Sequence, residues 1–390
     1  MTDDEWRDRL PLLTDVFDLA IDLEVSLEGW HCIYVQHVLT TNYFASKFLI
    51  SLGLAKKNLF VIGKDYSTSA QAMSRYHSDE ISASSLGSPY DFSCAFDEPI
   101  VEFARDMIID LIEGGANKLL LLDEGGILAR AFKNIPERSD LRLVFVELTS
   151  RGLQHVNHLS ASSVHIDVGH SYGKQKIESL LIADSMQHFI KKTMTLRKKT
   201  DLCKVAIVGV GAIGHALSMC LLQSGFHVET YDICNEKGTS TSMEGALDDA
   251  RIILSCTGRP IDVKRLLMAA PGRALLFNCG SSDVEFSLWR YRESLPKIWS
   301  IEASSLLTNK LLHRDISIPS NDGHITICNG GFPINLGSGD DPIPEKQIQI
   351  TRALMLLGVV QGVSEQQPGK HTLSEKLQHP VISRYRKLLE

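Results

Sequence analysis

The chain has 390 residues, of which 44% are hydrophobic and 22% charged, with 28 glycines and 13 prolines. That composition belongs to a folded protein of about two domains and excludes a disordered or collagen-like chain. Forty basic against 47 acidic side chains give a formal net charge of −7, so neither nucleic acid nor a membrane surface is an expected partner over the whole face.

Along the first half the pattern alternates helix and strand. Residues 12–28 carry a helical apolar period, His31 to Val35 reads as a short strand, and residues 39–52 read as a helix stopping at Gly53. Asn58 to Gly63 is the next strand. Residues 100–113 form a helix ended by Gly114 and Gly115, and Lys118 to Leu122 and Leu143 to Val146 are further strands. Strands apolar on both faces and separated by helices predict a parallel sheet. Residues 176–190 read as one amphipathic helix, and the basic run from Lys191 to Lys199 as its solvated end beside the negative pole of the dipole.

A second alternating region follows, with strands at 204–208, 227–231, 251–255 and 274–277. Helices are expected at 344–362 and near 373–389, with 363–372 as a loop. The eight cysteines include no C-x-x-C pair and read as structural thiols of a reducing compartment. The N-terminus from Met1 to Glu5 lacks the basic and apolar character of a leader, so a cytoplasmic location is expected. No uncharged apolar run reaches the ~20 residues of a membrane span.

The strongest chemical signal lies in the second region. Val205 to Val208 runs into Gly209, Gly211 and Gly214 in the order G-x-G-x-x-G, with Ala212 and Ile213 opening a helix. The first glycine permits the turn, the second lets backbone approach a pyrophosphate, and the third lets the helix pack on the strand. Asp232 ends the following strand, where a carboxylate accepts from ribose hydroxyls and repels a 2′-phosphate. NAD is therefore the expected cofactor, with no metal.

Further motifs surround this loop. Leu121 to Gly126, Val146 to Gly152, Lys174 to Ser179, Ser255 to Gly258 and Asn278 to Glu285 resemble, in order and spacing, the LDDGG, EETTTG, KSKFDN, TTTG and NIGHFDVE segments of the S-adenosylhomocysteine hydrolase (adenosylhomocysteinase) family. The resemblance implies an α/β fold of two domains. Residues 1–184 would form a discontinuous substrate domain to which 340–390 return, and 185–339 a Rossmann-like NAD-binding domain. It implies an NAD-dependent hydrolase or lyase of one-carbon metabolism that oxidises the 3′-hydroxyl of a nucleoside-like substrate, eliminates and hydrates at C4′–C5′, and reduces again.

On this likeness His37 and Asp123 handle the C4′ proton and water, and Lys174 and Glu178 serve the 3′-hydroxyl. His37 matches because Gly53 follows sixteen residues later, and Lys174 and Glu178 share a helix face at i and i+4. Glu147 and Thr149 would contact substrate. Thr257, Gly258, Asn278 and Asn329 would join the glycine loop around NAD. A homo-oligomer, dimer or tetramer, is also implied. The chain departs from the family at Leu39, Thr41, Leu148, Ser179 and Ser281, and its 327–335 stretch has no histidine. These departures fall on base and 5′-group recognition, so the leaving group and base stay open. Two alternatives stay open as well: a catalytically weak NAD- or nucleotide-binding regulator, and a true S-adenosylhomocysteine hydrolase with a remodelled pocket.

Overall fold

The computed structural model describes residues 5–86, 94–136, 138–159, 162–197, 203–286, 313–320, 323–337 and 341–390. Its contacts divide the chain into two compact units. Unit 1 comprises Met1–Gly87, Asp97–Glu178 and Ser338–Glu390; unit 2 comprises Ser88–Phe96 and Ser179–Gly337. The described strands, in chain order, are β1 His31–Gln36, β2 Leu59–Lys64, β3 Ser82–Leu86, β4 Lys118–Asp123, β5 Arg142–Glu147, β6 Val164–Asp167, β7 Lys204–Val208, β8 His227–Tyr231, β9 Ile252–Ser255, β10 Leu275–Asn278, β11 Ile316–Ser320, β12 Gly323–Ile327 and β13 Gly369–Thr372.

In unit 1 a seven-stranded sheet runs β13-β6-β5-β4-β1-β2-β3, and every neighbouring pair is parallel. Its central strands are buried on both faces, as Cys32 to Val35, Leu119 to Leu122 and Leu143 to Val146 require. The helix Glu345–Ser364 is buried nearly all round and lies on β5 and β6. Its close approach depends on Gly358, where a Cβ would stand 2.8 Å from both Val146 Cγ1 and Val168 Cγ2.

In unit 2 a six-stranded sheet runs β11-β12-β10-β9-β7-β8. It is parallel except for β11, which pairs antiparallel with β12. One face packs on the helices Ser179–Leu196 and Ala212–Gln223 through Ile190, Leu217 and Leu221. The other packs on Leu247, Val263 and Leu266. The fold is thus α/β with a Rossmann-like second unit.

Several expected elements differ. The 12–28 helix ends at Asp22, because the chain turns through Glu24 with a left-handed φ of 53°. The 363–372 loop contains β13, and β3, like β6, β11 and β12, has no counterpart among the expected strands. β13 and β3 are edge strands of polar sequence, Gly369 to Thr372 and Ser82 to Leu86, held by backbone pairing without the apolar alternation that marks a strand. The helix expected at 176–190 starts as a π turn, Lys174–Glu178, and continues to Leu196. Lys198 and Lys199 of the basic run lie outside the described residues. No helix among the described residues is long and apolar enough to cross a membrane, none of them forms a metal-holding cluster, and all eight cysteines are free thiols.

Gly358→Ala is expected to lower stability by about 1–3 kcal/mol, since the added methyl overpacks the helix against Val146 and Val168. Urea denaturation followed by circular dichroism checks this, and an unchanged midpoint contradicts the packing.

Candidate functional site

Unit 1 reverses its direction of growth at β1. From β1 the chain builds outward through β2 and β3, then returns to the other side of β1 and builds outward through β4, β5 and β6. Crossovers leaving in opposite directions open a crevice beyond the carboxyl ends of the two central strands. His37 is the first residue after β1 and Glu124 the first after β4. Lys64 closes β2 beside them, one step beyond the Gln36–Gly63 register pair.

The imidazole of His37 is buried and held at Nδ1. Nδ1 lies 2.6 Å from Ser67 Oγ, and Ser67 Oγ donates to the Lys64 carbonyl at 3.3 Å. That chain assigns the ring proton to Nδ1 and leaves Nε2, 3.7 Å from Glu124 Oε1, as the acceptor. Burial first, and then the Lys64 and Arg352 charges, hold the imidazole down to about 4 against the pull of Glu124. Burial opposes ionisation of Glu124, but His37 when protonated, Lys64, Arg352 and Lys174 prevail and hold it down to about 2. At neutral pH the pair is a neutral imidazole facing a carboxylate.

Lys174 and Glu178 form an ion pair across their π turn, and Thr351 Oγ1 donates to Glu178 Oε1 at 2.9 Å. The structure therefore brings His37, Lys174 and Glu178 to one electrostatic cluster. Asp123 faces elsewhere. It accepts from the amides of Ile127, Leu128 and Ala129 at 3.1, 2.7 and 3.2 Å and so caps the helix Ile127–Ala131. Glu147 accepts from the amides of Gly125, Gly126 and Thr149 at 3.2, 3.1 and 2.7 Å and from Thr149 Oγ1 at 2.6 Å. Asp123, Glu147 and Thr149 thus hold two loops. Burial pushes the Asp123 carboxyl up to about 6, and burial with the Asp123 charge pushes Glu147 well above the ordinary range.

Glu124, Lys64 and Arg352 were not among the expected site residues. Successive side chains at a strand end point to opposite faces, so of the two adjacent acids Asp123 and Glu124 one faces the crevice while the other caps a helix. That alternation was the available signal. Arg352 sits on a helix whose sequence reads as core, and nothing local marks it.

In unit 2 the reversal falls at β7, between β8 and β9. The glycine loop leaves β7, and Gly211 caps the twelve-residue helix Ala212–Gln223 that Ala212 and Ile213 begin. A Cβ at Gly214 would stand 2.0 Å from the Gly209 carbonyl oxygen, whereas one at Gly211 would meet nothing within 4 Å. Gly214 is needed for packing, and Gly211 faces open space at a helix N-terminus, as a phosphate requires. Asp232 Oδ2 accepts from the Val210 amide at 2.7 Å and Oδ1 from Cys234 at 2.9 Å. Each oxygen keeps a second lone pair for a ribose hydroxyl.

The remaining cofactor candidates are tied internally. The Thr257 and Gly258 amides each donate to the buried Glu285 at 3.0 Å. Asn278 Nδ2 donates to the Gly331 carbonyl at 2.8 Å, and Asn329 Nδ2 donates to the Pro333 carbonyl at 2.9 Å.

No family model matches this chain. Two curated proteins of Mycobacterium tuberculosis, both named as uncharacterized, are 26% identical over 347 residues, 86% of this chain and 64% of theirs. The chain thus spans less than two thirds of the length of these relatives. Solved structures that it is similar to include a D-isomer specific 2-hydroxyacid dehydrogenase of Lactobacillus delbrueckii ssp. bulgaricus in NAD-complexed form. The identity there is 13%, the coverage 73% of this chain and 89% of that one, and the TM-score 0.32. They also include a cofactor (NAD+) bound 3-phosphoglycerate dehydrogenase of Entamoeba histolytica, at 11% identity, 77% and 94% coverage and a TM-score of 0.37.

These names correct the family reading. The solved structures just named are dehydrogenases, as is a further neighbour from Rhizobium meliloti, and none of these names supports oxidation, elimination, hydration and re-reduction of a nucleoside. The assignment to that family, its hydrolase or lyase activity and its substrate are withdrawn. Four of the five motifs that carried it are accounted for by the loop contacts of Asp123, Glu147, Thr257, Gly258 and Asn278 described above, and the fifth, Lys174 to Ser179, by the Lys174–Glu178 ion pair.

The unfolded chain takes up a proton at His37 near pH 6.5 that the folded chain refuses until about pH 4. Stability from this group is therefore lost as pH falls through that window. Asp123 and Glu147, raised on folding, slope the other way, so the comparison with His37→Asn isolates the histidine. Wild type is expected to lose about 3 kcal/mol relative to His37→Asn between pH 6.5 and 4. Urea melts at several pH values measure it, and parallel profiles contradict a buried neutral imidazole.

Proposed function

We propose that this chain is an NAD-dependent oxidoreductase, with the dinucleotide held by unit 2 and the proton-transferring groups carried by unit 1. The observation that carries this reading is the glycine loop: open space at Gly211, which caps a twelve-residue helix, with Asp232 the first residue after the next strand. Gly209, Gly211, Ala212, Ile213, Gly214 and Asp232 are the residues that would hold NAD. A carboxylate at 232 favours NAD over NADP. When bound, NAD supplies the hydride acceptor.

Oxidising a hydroxyl also requires that its proton leave. His37 Nε2 is the acceptor: the ring is neutral at working pH and oriented by Ser67. Glu124, ionised across the same range, stabilises the imidazolium that forms. In the reverse direction the same proton returns to a carbonyl oxygen. Lys174 and Glu178 add a charged pair to the cluster and steady the field on Glu124. The dehydrogenases among the structural neighbours are in keeping with this chemistry, and a homo-oligomer is part of the same proposal.

Titration of the purified chain with NAD by calorimetry is expected to show saturable binding. Gly211→Ala, whose methyl touches no protein atom, should leave thermal stability unchanged while weakening NAD by about tenfold or more. Asp232→Ala should narrow the preference for NAD over NADP. Absence of NAD binding in wild type, or equal affinity in Gly211→Ala, overturns the reading.

A further inference from the structure

Two cations of unit 1 carry more hydrogen-bonding capacity than the described residues use. Lys64 is 0% exposed and Arg352 5%. Lys64 donates one hydrogen bond, from Nζ to the Glu124 carbonyl oxygen at 2.9 Å, although an ammonium has three N–H donors. Arg352 donates one, from Nε to Thr41 Oγ1 at 3.2 Å, although a guanidinium has five. Neither stands at ion-pair distance from a carboxylate among the described residues.

The neighbouring buried cations differ. Arg151 pairs with Asp97 at 2.9 Å, Lys47 with Asp79 at 2.7 Å, and Lys174 with Glu178. The acids around Lys64 and Arg352 accept their hydrogen bonds from other groups, Asp123 from three amides and Asp341 from the Thr41 hydroxyl at 3.0 Å, although Lys64 acts on Asp123 and Arg352 on Asp341 through their charge. Among the acids of the described residues Glu124 alone feels the charge of both cations, and both also act on His37. Gly125 lies beside Lys64, a Cβ there standing 3.5 Å from Nζ. Burying a cation with unused donors is costly, and the arrangement is completed by an oxyanion that accepts from both.

We propose that Lys64 and Arg352 form a binding subsite for an anionic group, a carboxylate or a phosphate, carried by the substrate whose proton His37 transfers. The guanidinium offers a planar fork that matches two oxygens, and the ammonium a point charge for a third contact. The proposal rests on reading unit 1 as the substrate unit and goes beyond it by naming the substrate's charge.

Calorimetric titration of the full chain without NAD tests it, with oxalate, inorganic phosphate and neutral oxamide as probes. One of the two anions should bind and oxamide should not; which anion binds tells a carboxylate substrate from a phosphorylated one. Lys64→Met and Arg352→Gln should each weaken that anion by about tenfold or more, while Lys191→Met, on the helix Ser179–Leu196 of unit 2, should leave it unchanged. If Lys64→Met does not fold by circular dichroism, Arg352→Gln and the milder Arg352→Lys decide. Failure of both anions to bind wild type, or equal binding in the folded variants, overturns the proposal. NAD titration of the same preparation is read separately, so loss of the subsite with NAD retained overturns this inference and leaves the cofactor reading standing.

Discussion

Unit 1 keeps ionised groups out of water at the carboxyl edge of its sheet, and much of that unit is arranged around making this tolerable. A buried charge without compensation costs several kcal/mol, and an imidazole kept neutral to about pH 4 records how dry the layer is. Glu124 is tolerated because it sits among His37, Lys64, Arg352 and Lys174. Lys174 is tolerated because Glu178 and, behind it, Thr351 complete its pair. The helix Glu345–Ser364 brings Thr351 and Arg352 to this layer, and it reaches the sheet because Gly358 has no side chain to hold it off. Packing and electrostatics are therefore one problem in this unit.

The two units solve topologically similar problems with different chemistry. Each sheet reverses at its first strand, β1 in one and β7 in the other, and each places its reactive backbone or side chains beyond the carboxyl ends there. At β7 the edge is furnished with glycines and a helix N-terminus, which suit a phosphate. At β1 and β4 it is furnished with an imidazole, a carboxylate and ammonium groups, which suit proton transfer and charge recognition. The distinction lies in composition, Gly209 to Gly214 against His37, Lys64 and Glu124, since the strand pattern is alike.

This explains what the sequence made legible. Central strands such as Leu119 to Leu122 and Val205 to Val208 announce themselves because burial on both faces demands continuous apolar residues. The glycine loop announces itself because backbone constraints allow few residue types. Edge strands β3 and β13 do not, since ladder bonds to one neighbour place no demand on side chains. Nor do Lys64 and Arg352, which lie in sequence 288 positions apart by their numbers and acquire meaning when folding sets both against His37. Of the adjacent acids Asp123 and Glu124, choosing the one that faces the crevice required knowing where the strand ends.

The withdrawn family likeness has a physical origin in the same loops. Glu147 accepts from Gly125 and Gly126, and a side chain at Gly152 would stand 2.0 Å from Glu147 Oε2, so the Leu121–Gly126 and Val146–Gly152 segments close on each other as one knot. Glu285 does the same for Thr257 and Gly258. Two segments that bind each other must vary together, and a loop that turns sharply after a parallel strand draws on few residues. Such motifs certify that the chain turns in a given way at a given strand. The proposed chemistry depends on neighbours that the knots hold in place: Glu124 next to Asp123, Lys64 opposite Gly125, and Gly211 with no protein atom within 4 Å of a Cβ. A resemblance carried by the knots therefore transfers architecture, and the reaction has to be read from the groups left facing open space or left with donors to spare.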